Sequence, residues 1–150
     1  MTLPTLPRVE RLDLAQVRLP DWHPEAATQP TAPVYGYVID HPDGAIVVDT
    51  GVGFGNEFID EVYEPRCTRL EEALGATGID VSSVVAVVNS HLHFDHCGQN
   101  PVFHDTDVPF FMQQPDVTEV ETDRFYTDAQ WALPPEGQRR MLDGDFEVAE

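Results

Sequence analysis

Lysine is absent from this 150-residue chain, and eight arginines face 27 aspartates and glutamates, for a formal charge of −19. Nucleic acids and anionic membrane surfaces select for clustered Lys and Arg, so neither is an expected partner. Long apolar runs are missing too. The longest, Val84–Val88, falls far short of the roughly 20 residues that span a bilayer. The first twenty residues show no basic start leading into an apolar block, so no signal peptide is legible and the expected location is the cytosol. Only two cysteines occur, Cys67 and Cys97, too few for a secreted disulfide scaffold. What remains is 41% hydrophobic, enough for one globular domain of this length. The excess of acid has two readings. One is a solvated surface that keeps the protein soluble. The other is a salt-rich cytosol, where ions screen the self-repulsion.

No internal repeat, low-complexity tract or linker is visible. Residues 8–19 alternate loosely and suit an edge strand; residues 20–33 hold four prolines and read as a loop. Val34–Asp40 and Ala45–Thr50 read as two strands of a hairpin, turned at His41-Pro42-Asp43-Gly44. Phe58–Tyr63 suits a short helix. Thr68–Ala76 suits another, with Thr68 as N-cap and Glu71 closing a capping box. Val84–Asn89 is a β-branched run of the kind buried on both faces of a sheet. Val108–Gln113 is a further strand. Pro115 opens a helix with Val117, Val120, Arg124 and Phe125 on one side, and Gly144–Ala149 begins a last strand. Strands and helices in this order make an α/β layered pattern.

Three of the six histidines fall within six residues, His91-Leu92-His93-Phe94-Asp95-His96, directly after the Val84–Asn89 strand. The carboxyl end of a buried strand gives ligands a rigid base below an open crevice. His91 and His93 are two apart, so in extended backbone they project to one side and can hold one cation. Asp95 and His96 are adjacent and can turn toward a second position. Imidazole nitrogen with carboxylate oxygen suits zinc, iron or manganese.

Residues 89–100, NSHLHFDHCGQN, resemble the H-x-H-x-D-H signature of the metallo-β-lactamase superfamily, and Ala45–Gly51 (AIVVDTG) resembles the strand and aspartate that precede it there. The resemblance runs from about Val34 to Gln113. It implies an αββα sandwich, of which residues 1–150 hold the N-terminal part of one domain, incomplete at the C-terminus. It also implies two divalent metal ions, zinc or alternatively iron or manganese. His91 and His93 would hold the first and Asp95 and His96 the second, with Asp95 counted as catalytic and Asp49 orienting a ligand from behind. A hydroxide between the metals would be the nucleophile.

The family's further ligands, a histidine, a bridging aspartate and a last histidine, come from later in the chain than Glu150. After His96 only His104 follows. Each metal is thus left with two protein ligands, where catalytic zinc usually has three. His104 and His23 are candidates to complete the set, beside readings as loop residues; His41 reads as part of its turn and Cys97 as a small buried thiol. The leading explanation is the N-terminal part of a longer enzyme. The second is a short form, inactive or completed by another chain, with a homodimer among the expectations. SHLHFDHCG, with Gly98-Gln99 in place of a Gly pair, is most similar to the lactonase and organophosphate-hydrolase branch. The implied activity is lactone or related ester hydrolysis on a small molecule, with Phe54 and the Tyr126–Trp131 stretch as either acyl-pocket lining or plain core. Thioester or phosphotriester hydrolysis, a redox di-iron protein and a non-catalytic metal-binding module are the alternatives.

Overall fold

In the computed structural model, which describes residues 6–123 and 125–149, all seven strands join one mixed sheet in the order β4-β1-β2-β3-β5-β6-β7. The strands are β1 (Arg8–Arg18), β2 (Thr31–His41), β3 (Gly44–Val48), β4 (Arg66–Cys67), β5 (Val84–Val88), β6 (Phe110–Gln113) and β7 (Arg139–Leu142). The helices are α1 (Glu57–Tyr63), α2 (Leu70–Ala76), α3 (Phe94–Cys97), α4 (Gln114–Thr122) and α5 (Ala129–Ala132). The β2–β3 hairpin turns where expected, with His41 opposite Gly44, and β3, β5, β6 and β7 run parallel.

Register explains the core. Val38, Val47, Val87 and Phe110 are cross-strand neighbours in one row, and each is fully buried. Leu70 and Leu74 of α2 and Val117 and Val120 of α4 belong to the same cluster. Each buried Val or Phe of that row stabilises the fold by about 1.5–3 kcal/mol. On the opposite face the row is Tyr37, Val48, Val88 and Phe111, where Tyr37 remains 42% exposed. The described residues form this one sheet; the second sheet that the resemblance implies is not among them.

Several sequence expectations are corrected. β1 is not a free edge throughout, because the two-residue β4 pairs with Ala15 and Gln16. β2 starts at Thr31, inside the expected loop, and contains Pro33. Pro33 lies opposite Gln16 of β1, in a stretch of β2 that β3 does not reach, because β3 pairs with β2 only from Tyr37 onward. Thr68 does not cap α2. Arg69 holds that position, and the Leu70 amide donates to Gln99 Oε1 at 2.8 Å instead. β5 is buried on both faces at its centre, where the consecutive Ala86 and Val87 are 4% and 0% exposed; Val85, at the register shift against β3, is 42% exposed. The last strand is Arg139–Leu142 rather than Gly144–Ala149, because pairing with β6 overrides weak local propensity. α4 stops at Thr122, where the Asp123 carboxylate accepts from the Phe125 amide at 2.8 Å and turns the chain. Phe125 is therefore exposed and not on the α4 face, and Arg124 lies outside the described residues.

Candidate metal centre

The loops at the carboxyl ends of β3 and β5 meet and are stitched together by a buried polar network. The Thr50 amide donates to the His96 carbonyl at 2.8 Å, and the Thr50 hydroxyl donates to Asn100 Oδ1 at 2.9 Å. Asn100 Nδ2 donates to Asn89 Oδ1 at 2.9 Å. The two loops approach so closely that a Cβ on Gly98 would lie 2.0 Å from the Gly53 amide nitrogen. The Gly98 amide uses that proximity, donating to the Gly51 carbonyl at 2.7 Å. Glycine is required by contact here, not by backbone angle.

This frame brings His91, Asp95 and His96 together, with one donor atom from each within 4.8 Å of the others. Asp49 braces them from behind. It is buried, in the left-handed region at φ 63°, and its Oδ2 accepts from His96 Nδ1 at 2.8 Å and from the Ser90 hydroxyl at 2.6 Å. Its Oδ1 accepts the Ser90 amide at 2.7 Å. Because the Ser90 hydroxyl donates to Asp49, its lone pairs face His91 Nδ1, 3.1 Å away. By that network a neutral imidazole at either position carries its proton on Nδ1, which leaves Nε2 as the coordinating atom. His96 Nε2 lies 3.4 Å from Asp95 Oδ2.

Electrostatics follow from the arrangement. Burial alone would push the His96 imidazole down, but the Asp49 and Asp95 carboxylates outweigh it and raise it to about 10. Burial raises the Asp95 carboxyl, yet the hydrogen bond and charge of His96 prevail and hold it below its ordinary value. His91 is lowered, first by burial and then by His96 and His93. The set of two imidazoles and one carboxylate fits a divalent cation, with the three protein ligands that catalytic zinc uses.

His93 stands apart from this trio. Its ring is 4.7 Å from that of His91, but its Nε2 faces Glu119 Oε1 of α4 at 3.5 Å, and it stacks on Tyr126 at 5.5 Å. His93, Glu119 and Asp123 form a second group with donor atoms within 4.8 Å. His23, His104 and Cys97 are in neither group. His23 caps its own turn, accepting from the Glu25 amide at 3.2 Å. His104 has a buried Nε2 and lies edge-on to Phe110. Cys97 is fully buried, as expected. Phe54 and Trp131 line a cleft of about 360 Å³ together with Arg69, Gln99 and Pro101, while Tyr126 belongs to the His93 side. Ser90, Thr50, Asn89 and Asn100 were not singled out in the sequence. For Ser90 the only signal is adjacency to His91. Glu119 and Asp123 match no ligand motif in the sequence, although their spacing of four on a helix-forming segment puts both on one side.

The metallo-beta-lactamase superfamily profile matches residues 30–145. An N-acyl homoserine lactonase of Bacillus thuringiensis is 29% identical over 129 residues, and one of a Bacillus species is 27% identical over 128. In both cases the alignment covers 77% of this chain and 50% of the relative, so the chain spans about half the length of the curated relatives it matches. Among solved structures, an N-acyl homoserine lactone hydrolase with N-hexanoyl-L-homoserine bound at its catalytic metal centre superposes with a TM-score of 0.75 at 25% identity, covering 97% of this chain and 63% of that one. A second, quorum-quenching N-acyl homoserine lactone hydrolase gives 0.74 at 25%, covering 99% of this chain and 62% of that one.

Proposed function

The chain belongs to the metallo-beta-lactamase superfamily, and on that premise we propose that it carries the metal-binding part of a hydrolase that opens lactones, N-acyl homoserine lactones first among them. The observation that carries the reading is the convergence of His91, Asp95 and His96 at the end of β5, with Asp49 bonded behind His96. The names of its lactonase relatives supply the substrate class. Zinc is the proposed ion, the cytosol the proposed compartment and a homodimer the proposed assembly.

His91, Asp95 and His96 would hold the ion, with His93 beside them. When bound, a divalent ion polarises a carbonyl oxygen and lowers the pKa of water toward neutrality. The chain's own groups prepare that chemistry. Asp49 fixes the His96 tautomer through Nδ1, and the Ser90 hydroxyl does the same for His91, so neither ring has to reorient. The Asn89–Asn100–Thr50 network keeps the signature loop from sagging away from β3. Trp22 packs on Tyr126, and Phe58 on Phe125, giving the His93 side an exposed aromatic rim that suits an acyl chain.

The test is proton release on opening of N-hexanoyl homoserine lactone by the zinc-loaded chain, beside a thioester and a phosphotriester. Lactone turnover exceeding both, and lost in His96→Ala, is expected. A zinc-loaded, folded chain that leaves the lactone intact, or prefers another substrate, overturns the reading.

A further inference from the structure

Gly98-Gln99 stands in this chain in place of a Gly pair, and Gln99 is no mere spacer. It is 3% exposed, and both ends of its side-chain amide are engaged. Oε1 accepts from the Leu70 amide at 2.8 Å, and Nε2 donates to the Thr68 carbonyl at 2.9 Å. Its own backbone amide donates to the Thr50 hydroxyl at 3.2 Å. Gln99 thus joins the end of the signature segment to the start of α2. Leu70 and Leu74, both fully buried, root α2 in the main core, and the Thr68 amide donates to the Leu14 carbonyl of β1 at 2.8 Å.

The segment needs such an anchor. Asp95 and His96 sit on α3, a helix of four residues whose N-cap, His93, makes no side-chain capping bond. A single turn fixes several dihedrals for very few hydrogen bonds, so it does not hold its shape unaided. Its start is held by the Phe94 amide, which donates to the Tyr126 carbonyl at 2.7 Å. Beyond its end, Thr50, Asn89 and Asn100 tie the chain to the ends of β3 and β5, while Gln99 ties it to α2 and, through Thr68, to β1. Ties to two different parts of the fold restrain a pivot that either one alone would permit. We propose that Gln99 is a positioning residue for the metal centre: it fastens the turn bearing Asp95 and His96 to α2, so that the donor geometry of His91, Asp95 and His96 depends on this tether. The inference rests on the divalent-metal reading of that trio, and the experiment separates the two.

Gln99→Ala removes the tether but also takes an acceptor from the first amide of α2, so a second change is paired with it. Arg69→Asp places a side-chain acceptor at the α2 N-cap, where none is present, and so strengthens the helix locally without reaching the signature segment. Cobalt(II) affinity by chelator competition and the visible cobalt spectrum are measured on the chelator-treated full chain, well below the Tm of each variant. Gln99→Ala is expected to lower the Tm, to weaken cobalt binding about 2–30-fold and to shift the visible bands. Gln99→Ala/Arg69→Asp is expected to regain Tm while keeping the weakened affinity and the shifted bands; Arg69→Asp alone is expected to bind as wild type does. Should Gln99→Ala not fold, Gln99→Glu, which keeps the acceptor for Leu70 but not the donor to Thr68, is read in the same way. A double variant that regains affinity together with Tm, or a folded Gln99 variant with wild-type affinity and bands, overturns the inference and leaves the metal reading standing. No cobalt binding by folded wild type overturns both.

Discussion

Replacing Asp49 with asparagine isolates what that carboxylate does for the site. Asparagine tolerates the left-handed backbone at φ 63° better than other L-residues, so the substitution leaves the main chain in place. It is nearly isosteric but exchanges one acceptor oxygen for an NH2 donor. If the NH2 takes the Oδ2 position, it faces the His96 Nδ1 proton and the Ser90 hydroxyl, both of which now donate there. His96 must then move its proton to Nε2, the atom that faces Asp95 and the ion position. If the NH2 takes the Oδ1 position, it opposes the Ser90 amide, 2.7 Å away, and a part-buried backbone donor is left unpaired. Either rotamer loses. Partners behind metal ligands typically contribute 10–100-fold to metal affinity, or about 1.4–2.7 kcal/mol. A charge-assisted hydrogen bond contributes about 1.5–3 kcal/mol to the fold itself, and 1 kcal/mol moves the midpoint of a domain this size by about 2–4 °C. Asp49→Asn is thus expected to weaken cobalt binding 10–100-fold in a chelator-competition titration and to lower the metal-free Tm by about 3–12 °C. Wild-type affinity in a variant with unchanged circular dichroism would refute the bracing role.

Gly98→Ala is expected to cost about 3 kcal/mol or more in urea unfolding, or to prevent folding, because its Cβ meets backbone atoms of Val52 and Gly53 at 2.5 Å or less, and backbone cannot rotate aside. Gly137→Ala, where a Cβ meets nothing, is the control expected to fold normally. Burial pushes the His104 imidazole below its ordinary 6.5, and its Nε2 has no hydrogen-bond partner. Below about pH 6.5 the unfolded chain therefore takes up a proton that the folded one resists, so stability is full above that pH and falls as pH drops through it. His104→Leu should flatten that part of the curve in urea titrations at successive pH values. With a formal charge of −19, the Tm is expected to rise between 0.1 M and 2 M KCl as repulsion is screened; a flat or falling Tm contradicts the salt-adapted reading.

Local chemistry alone made much of this protein legible. The β-branched run at Val84–Val88, the hairpin around Pro42-Asp43 and the histidine-rich segment each carry their meaning within a few residues, because side-chain alternation, turn preference and ligand spacing are short-range properties. Asp49 was legible only through the likeness of AIVVDTG to a family pattern, since 41 residues separate it from Ser90, its partner. What stayed hidden depends on atoms brought together from distant positions. Gln99 displaces Thr68 as the group that satisfies the first amide of α2, because the signature loop folds back onto that helix and offers a better-placed acceptor. The last strand falls at Arg139–Leu142 because β6 has a free parallel edge, not because Arg-Arg-Met-Leu favours extension. Glu119 carries no signal in the sequence; the packing that stacks His93 on Tyr126 brings its Nε2 to 3.5 Å from the Glu119 carboxylate. Sequence by itself determined which residues can bind a cation, through their chemistry. Tertiary structure decided which of them share one, because donors shared by an ion must converge within a few ångströms, and that distance is set by packing.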